Sequence, residues 1–210
     1  MLTKLNSKQE DIYIVFLSTN TLVGKGIRFL TGNRFSHVTI SLDQDLRMMY
    51  SFARYHINSP IRGGFVIEQP FRYLYNNQDV SVKVCRIRVS REEYDRILSG
   101  IGYFLTNREQ LIYNTPNALL SLFKRQLTVK DMYTCLEFVT YLLRYENILT
   151  IRELENRLKQ QVVYRGSLKK IVSPELAWQE DDYFIRKDVF GIVSDTVHHI
   201  RKVTVRIIHA

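Results

Sequence analysis

The sequence predicts an α+β domain in which an antiparallel sheet packs against helices. Three observations carry that expectation. Short β-rich runs crowd the first ninety residues, three Ser/Thr-x-x-Glu helix starts follow, and a 45% hydrophobic content over 210 residues is enough for one sizeable core. Ile12-Tyr13-Ile14-Val15-Phe16-Leu17 is continuously apolar, the pattern of a strand buried on both faces and central in its sheet. Residues 21–31 read as a short helix weakened by Gly24 and Gly26 and ended by Gly32-Asn33, where a left-handed cap is easy. Gly24-Lys25-Gly26 lacks the spacing and the hydroxyl residue of a phosphate loop. Further strands are expected at 36–42, 46–52, 64–68 and 80–89.

Ser90 and Glu93 open a helix from Arg91 to about Leu105, with Tyr94, Ile97, Leu98, Ile101 and Phe104 as its apolar stripe. A short helix is expected over 117–124, after an irregular stretch at Tyr113-Asn114-Thr115-Pro116. A stronger helix begins near Thr134. Thr150 with Glu153, and Ser173-Pro174-Glu175, start two peripheral helices. The alternation Lys202-Val203-Thr204-Val205-Arg206-Ile207 suggests an edge strand or a tail that pairs with a partner. The organisation expected is one domain over 11–182 and an extension over 183–210.

The net charge of +9 is spread evenly, at +3 in each of residues 1–60, 61–149 and 150–210. No basic stripe or recognisable module accompanies it, which argues against a dedicated nucleic-acid binder. Two cysteines cannot form a disulfide framework, and the polar N-terminus has no signal-peptide core. The longest apolar runs fall far short of the roughly 20 residues that span a bilayer as a helix. A cytoplasmic protein with reduced thiols is expected, with peripheral contact to an anionic membrane as a weaker option motivated by the charge.

Chemistry concentrates at two places. In Ser36-His37-Val38-Thr39-Ile40-Ser41-Leu42 the period of two sets Val38, Ile40 and Leu42 on one face and His37, Thr39 and Ser41 on the other. A three-residue loop, Asp43-Gln44-Asp45, would bring Leu46, Met48 and Tyr50 onto the apolar face and place Ser51 across from His37. His37 is then a structural histidine or, given a partner, a functional one. The partner candidate is Cys135. Thr134 and Glu137 form a capping box that puts Cys135 at the first helical position, where free N–H groups and the helix dipole favour a thiolate. The competing reading packs Cys135 with Phe138, Val139 and Leu142 as a small apolar residue. Cys85, in phase with Ile87 and Val89 mid-strand, reads as core. His56, His198 and His199 lack neighbours at metal-ligand spacing and read as solvated, so neither metal nor cofactor is implied. Glu68 at a strand end either orients a histidine or faces water.

The order of these pieces, a buried strand, Phe35-Ser36-His37-Val38 on a later strand, and Tyr133-Thr134-Cys135-Leu136-Glu137-Phe138-Val139 opening a helix, resembles the circularly permuted papain-like cysteine hydrolases of the NlpC type, relatives of the lecithin-retinol acyltransferase group. Tyr50-Ser51-Phe52-Ala53-Arg54, Gly63-Gly64-Phe65 and Ser173-Pro174-Glu175-Leu176 are also similar to members, so the resemblance covers roughly residues 11–180. It implies a permuted papain-like fold with Cys135 as nucleophile and His37 as base, acting by acyl transfer on a peptide, amide or lipid-ester substrate. Cell-wall polymer is among the implied partners. The oxyanion would be held by the Cys135 N–H and a second donor, with Tyr133 a candidate. The orienting residue falls near Ser51, which offers no charge; Glu68 is the alternative. Cys-Leu-Glu replaces the more usual Cys-Ser-Glu without touching the reacting atoms. A papain-like domain that binds without turnover is the alternative function.

Overall fold

The first long strand, β1 (Gln9–Leu17), lies in the interior of a six-stranded sheet, where residues 12 and 14–17 are wholly buried, as a doubly covered strand should be. The structure is a computed structural model that describes residues 9–19, 25, 28, 32–120, 123, 125–173 and 181–209. The other strands are β2 (His37–Ser41), β3 (Met49–Arg54), β4 (Gly63–Glu68), β5 (Ser81–Ser90) and β8 (Val162–Ser167), with β6 (Ile112–Tyr113) and β7 (Met132–Tyr133) forming a separate parallel pair. The sheet order is β4-β3-β2-β1-β5-β8 and every neighbour is antiparallel. With helices packed against this sheet, the fold is α+β. Strand β8 escapes the sequence pattern because it is an edge strand with Val162 and Val163 both exposed.

Both faces of the sheet are covered. Ile12, Ile14, Phe16, Val38, Ile40 and Cys85 join one cluster with the helices α2 (Arg91–Thr106) and α4 (Cys135–Leu143). Tyr13, Val15 and Leu17 point the other way, toward Met49, Tyr73, Val82 and Leu168. His37 pairs with Leu17 and shares its face, so the polar side inferred for β2 is an interior one.

The β2–β3 connection is longer than expected. Ile40 pairs with Tyr50 and Ser41 with Met49, so the register slips by two residues from the three-residue loop; an even slip preserves the faces. Tyr50 does join the first cluster, but Leu46, at φ 55°, turns into the opposite one and Met48 is exposed. In β4, Gly64 is required by a close approach: a Cβ there would stand 2.6 Å from the Leu111 carbonyl oxygen beside β6.

The remaining helices are α1 (Phe71–Leu74), α3 (Thr115–Leu120), α5 (Ile151–Arg157) and α6 (Val189–Ile208). Ser90 caps α2 by accepting from Glu93 N at 3.2 Å, but the Glu93 carboxylate turns to Arg96 rather than back to the cap. Of the expected α2 stripe, Ile97, Ile101 and Phe104 are buried and Leu98 is exposed. Helix α3 starts two residues before its expected position, with Pro116 in its first turn. The helices expected over 21–31 and after Ser173 lie outside the described residues, although Gly32 does take φ +62°. The tail is not an edge strand. Residues 189–208 form α6, capped by the Asp188 side chain accepting from Gly191 N at 2.8 Å. Six alternating residues cannot separate a strand from a helix; the 3.6 period emerges only across the whole segment.

Candidate active site

Helix α4 is positioned by its own sequence. Thr134 Oγ1 accepts from Glu137 N at 3.2 Å while Thr134 N donates to Glu137 Oε2 at 2.7 Å, the reciprocal box that the spacing implies. Phe138, Val139 and Leu142, fully buried, fasten the helix onto β2 and β3. Phe138 lies edge-on to Phe104 with centroids 5.0 Å apart, within a group that includes Phe52 and Phe65. Cys135 is therefore held at the first helical position, buried and in contact with the apolar cluster, with its backbone N–H outside the helical hydrogen-bond ladder. Packing and chemistry coexist at this residue.

His37 is the first residue of β2 and is buried among ionisable groups. Its Nε2 lies 3.1 and 3.0 Å from the two carboxylate oxygens of Glu68, and the Ser51 hydroxyl is 3.4 Å away. A carboxylate only accepts, so Nε2 carries a proton and Nδ1 is the nitrogen left for the thiol. Burial depresses the His37 pKa, but the charge of Glu68, then the charge and side-chain hydrogen bonding of Cys135, outweigh it and push it up to about 10. Cys135 is thus close enough for its charge to act on the imidazole.

Glu68 is buried as well, and burial alone would raise its pKa; His37, then Arg72 and Tyr73, pull it down to about 2. Tyr73 OH donates to Oε2 at 2.6 Å, and Arg72 Nη1 stands 3.6 Å from Oε1. Arg72 in turn makes a two-pronged contact to Asp181, Nε to Oδ2 at 2.9 Å and Nη2 to Oδ1 at 2.8 Å, with its guanidinium over the Tyr183 ring at 4.5 Å. Charges therefore alternate along a buried line from His37 through Glu68 and Arg72 to Asp181.

Of the residues expected from sequence, the structure brings together Cys135, His37, Glu68 and Ser51. The third position is better filled by Glu68, with Ser51 beside it, because β4 lies next to β3 and its last residue reaches back over the same face. Tyr133 is placed elsewhere. Its ring packs 5.3 Å from Phe52 and 5.1 Å from Phe104, and burial pushes its hydroxyl up to about 12. The residue beside it in the parallel pair, Tyr113, lines the cleft with Cys135. Burial, then the proximity of Cys135, raises the Tyr113 pKa strongly, so this phenol remains an O–H donor. The cleft, about 690 Å³ including its open mouth, has Phe35, Leu136, Ile148 and Ile151 as apolar walls and Asn117, Arg125 and Gln126 as polar ones.

The other candidates behave differently. Cys85 is buried against the Leu158 carbonyl, and burial pushes its thiol up to about 11. His199, expected in solvent, is buried with Nε2 2.8 Å from Thr115 Oγ1, and His56 Nδ1 is 3.1 Å from the Asp182 carbonyl oxygen. Among the described residues no group of three His, Cys, Asp or Glu side chains is arranged to hold a metal ion. No protein-family model, curated protein or solved structure matches this chain. The site must be read from its own geometry. Tyr73 and Arg72 carry a faint sequence signal, since Pro70 opens a helical turn that sets Arg72 four residues after Glu68. Asp181 carries none.

Proposed function

We propose that the protein is a thiol hydrolase or acyltransferase with Cys135 as nucleophile, His37 as acid–base and Glu68 as the orienting carboxylate, on a permuted papain-like fold. The observation that carries this reading is a cysteine at a capped helix start beside a histidine whose far nitrogen is committed to a buried carboxylate. In the reaction the sulfur, its proton already carried by His37 Nδ1, attacks an amide or ester carbonyl carbon. The Cys135 N–H and the O–H of Tyr113, which lines the cleft with it, would serve as donors to the oxyanion. As the tetrahedral intermediate collapses, Nδ1 returns a proton to the leaving nitrogen or oxygen, leaving a thioester. Water or an acceptor then gives its proton to Nδ1, attacks the thioester, and the thiolate is reformed. Glu68 keeps the ring in one orientation and balances its positive charge throughout.

Apolar cleft walls with a few polar side chains, Asn117, Arg125 and Gln126 among them, suit an acyl, peptide or amide substrate. The alternative, a domain that binds without turnover, was motivated by a serine alone in the orienting position; Glu68 in contact with the ring weakens that motive. Iodoacetamide alkylation followed by peptide mass mapping tests the proposal. Cys135 should react faster than a free cysteine peptide near neutral pH, and His37→Ala should abolish the advantage. Equal rates for Cys135 and the peptide would remove the activated pair.

A further inference from the structure

Helix α6 is built inside out. On the side that meets the body its polar residues make the contacts. Asp195 pairs with Arg62 and lies 3.5 Å from the Ser59 hydroxyl, His199 bonds Thr115, and Arg206 donates to the Asp131 carbonyl oxygen at 2.8 Å. Asp195, His199 and Val203, four residues apart, are the buried positions of this helix. The opposite side carries Phe190, Val193, Val197, Ile200, Ile207 and Ile208, every one exposed, with Phe190 at 85%. Phe190, Val193, Val197 and Ile200 follow one another at three and four residues, and after Thr204 the same side resumes at Ile207 and Ile208, about 27 Å along the helix from first to last. A surface helix normally turns such a row inward, and an apolar row left to water marks a face that is covered in use.

Charge selects what covers it. Arg186, Lys187, Arg201 and Lys202 lie in or just before α6, with Arg206 held by the body, against only Asp188, which caps the helix, and Asp195, which is buried against Arg62. No carboxylate interrupts the apolar row. A second copy would bring the same cations and another +9 to the seam, whereas an anionic bilayer supplies both the opposite charge and an apolar layer. No helix among the described residues is long and apolar enough to cross a membrane, so the compatible geometry is one lying along its surface. We propose that the outward face of α6 docks on an anionic lipid surface, its apolar row entering the acyl boundary while Arg186, Lys187 and Arg201 meet the headgroups. This surface is independent of the chemistry at Cys135.

Co-sedimentation of the full chain with phosphatidylcholine vesicles, with and without phosphatidylglycerol, tests it. The protein should pellet with the anionic vesicles and be released by raised salt. The double variant Phe190→Ser/Val197→Ser should weaken partitioning by about tenfold or more, as loss of two inserted apolar side chains predicts. Arg186→Glu/Arg201→Glu should weaken it on anionic vesicles only, and Cys135→Ser should leave it unchanged. All four surface positions point to solvent, so unchanged far-UV circular dichroism is expected and confirms that binding alone was altered. Failure of the native chain to pellet with anionic vesicles overturns the proposal, as does equal binding by the apolar double variant. A dimer in sedimentation equilibrium that Phe190→Ser dissolves, without lipid binding, also overturns it and assigns the face to self-association.

Discussion

Replacing Glu68 with glutamine tests the electrostatic core of the site with little change of shape. The amide oxygen can still accept from His37 Nε2, so what is lost is charge. Seen from the carboxylate, whose pKa falls from 4.5 to about 2, the stabilisation is about 3 kcal/mol; seen from the imidazole, raised from 6.5 to about 10, it is about 5 kcal/mol. The second figure also contains Cys135, so about 3 kcal/mol is the better scale for the carboxylate's share, and it matches the cost of breaking a buried charge pair. His37 in Glu68→Gln should therefore titrate about two pH units lower than in the native protein, a difference read by NMR of ring-labelled histidine. The stability consequence has a definite sign. The raised His37 contributes fully below its unfolded value near 6.5, and this contribution is lost as pH rises through about 10. The lowered Glu68 contributes above about 4.5, and this is lost as pH falls toward about 2. Urea denaturation at pH 7 should show the variant less stable by about 3 kcal/mol, with the deficit shrinking between about pH 4.5 and 2. An unchanged His37 titration in the variant would falsify the assignment of Glu68 as the group that holds the imidazolium.

Three further outcomes follow from the same geometry. Tyr113→Phe should lower acyl-transfer turnover by about 10²-fold with little change in the alkylation rate of Cys135, because the phenol donates to developing charge and not to the thiol; equal turnover would remove Tyr113 from the oxyanion site, while Tyr133→Phe serves as the neutral control. Asp181→Asn should lower the pH of His37 titration by less than Glu68→Gln does, since its effect passes through Arg72; a larger effect than that of Glu68→Gln would contradict the order of the line. Cys85 should remain unmodified in native protein under conditions that alkylate Cys135 and become reactive only in urea, since burial holds its thiol well above the usual range.

The parts of the site that were readable are those written in local patterns. A capping box needs only Thr134 and Glu137 three residues apart, and it places Cys135 at a helix start without reference to the rest of the chain. The period of two in β2 separates His37 from Val38 equally locally. What could not be read depends on neighbours chosen by the fold. Ser51 as the residue across from His37 presupposed a loop length; the two-residue slip changes that pairing but keeps Ser51 on the same face, 3.4 Å from the ring, while β4 delivers Glu68 from outside that hairpin. Tyr113 and Tyr133 sit side by side on paired strands, yet one ring enters the cleft and the other an aromatic cluster; no spacing along the chain distinguishes them. The tail failed for the opposite reason, since its local alternation was real but too short, and its outward apolar row ran against the usual rule for surface helices.

The hydrogen bonds that cross residue 182 bear on what the extension does for the site. Asn58 Nδ2 donates to the Lys187 carbonyl oxygen at 2.8 Å while Lys187 N donates to Asn58 Oδ1 at 3.1 Å, Ile57 N donates to the Tyr183 carbonyl oxygen at 2.7 Å, and Arg62 pairs with Asp195. Arg54, the last residue of β3, reaches the Tyr183 hydroxyl at 3.1 Å. All of these partners lie at the end of β3 or in the connection that leads into β4, the strand that ends in Glu68. The segment after residue 180 therefore clasps the β3–β4 loop at one end of the strand and, through Asp181 and Arg72, flanks the carboxylate at the other. A loop of eight residues held at several points by charged and backbone hydrogen bonds loses its freedom to shift the register of β4, and a two-residue shift there would withdraw Glu68 from His37. On this argument Asp181, Tyr183, Lys187 and Asp195 belong to the machinery that keeps the carboxylate in place, although none of them touches the reacting atoms.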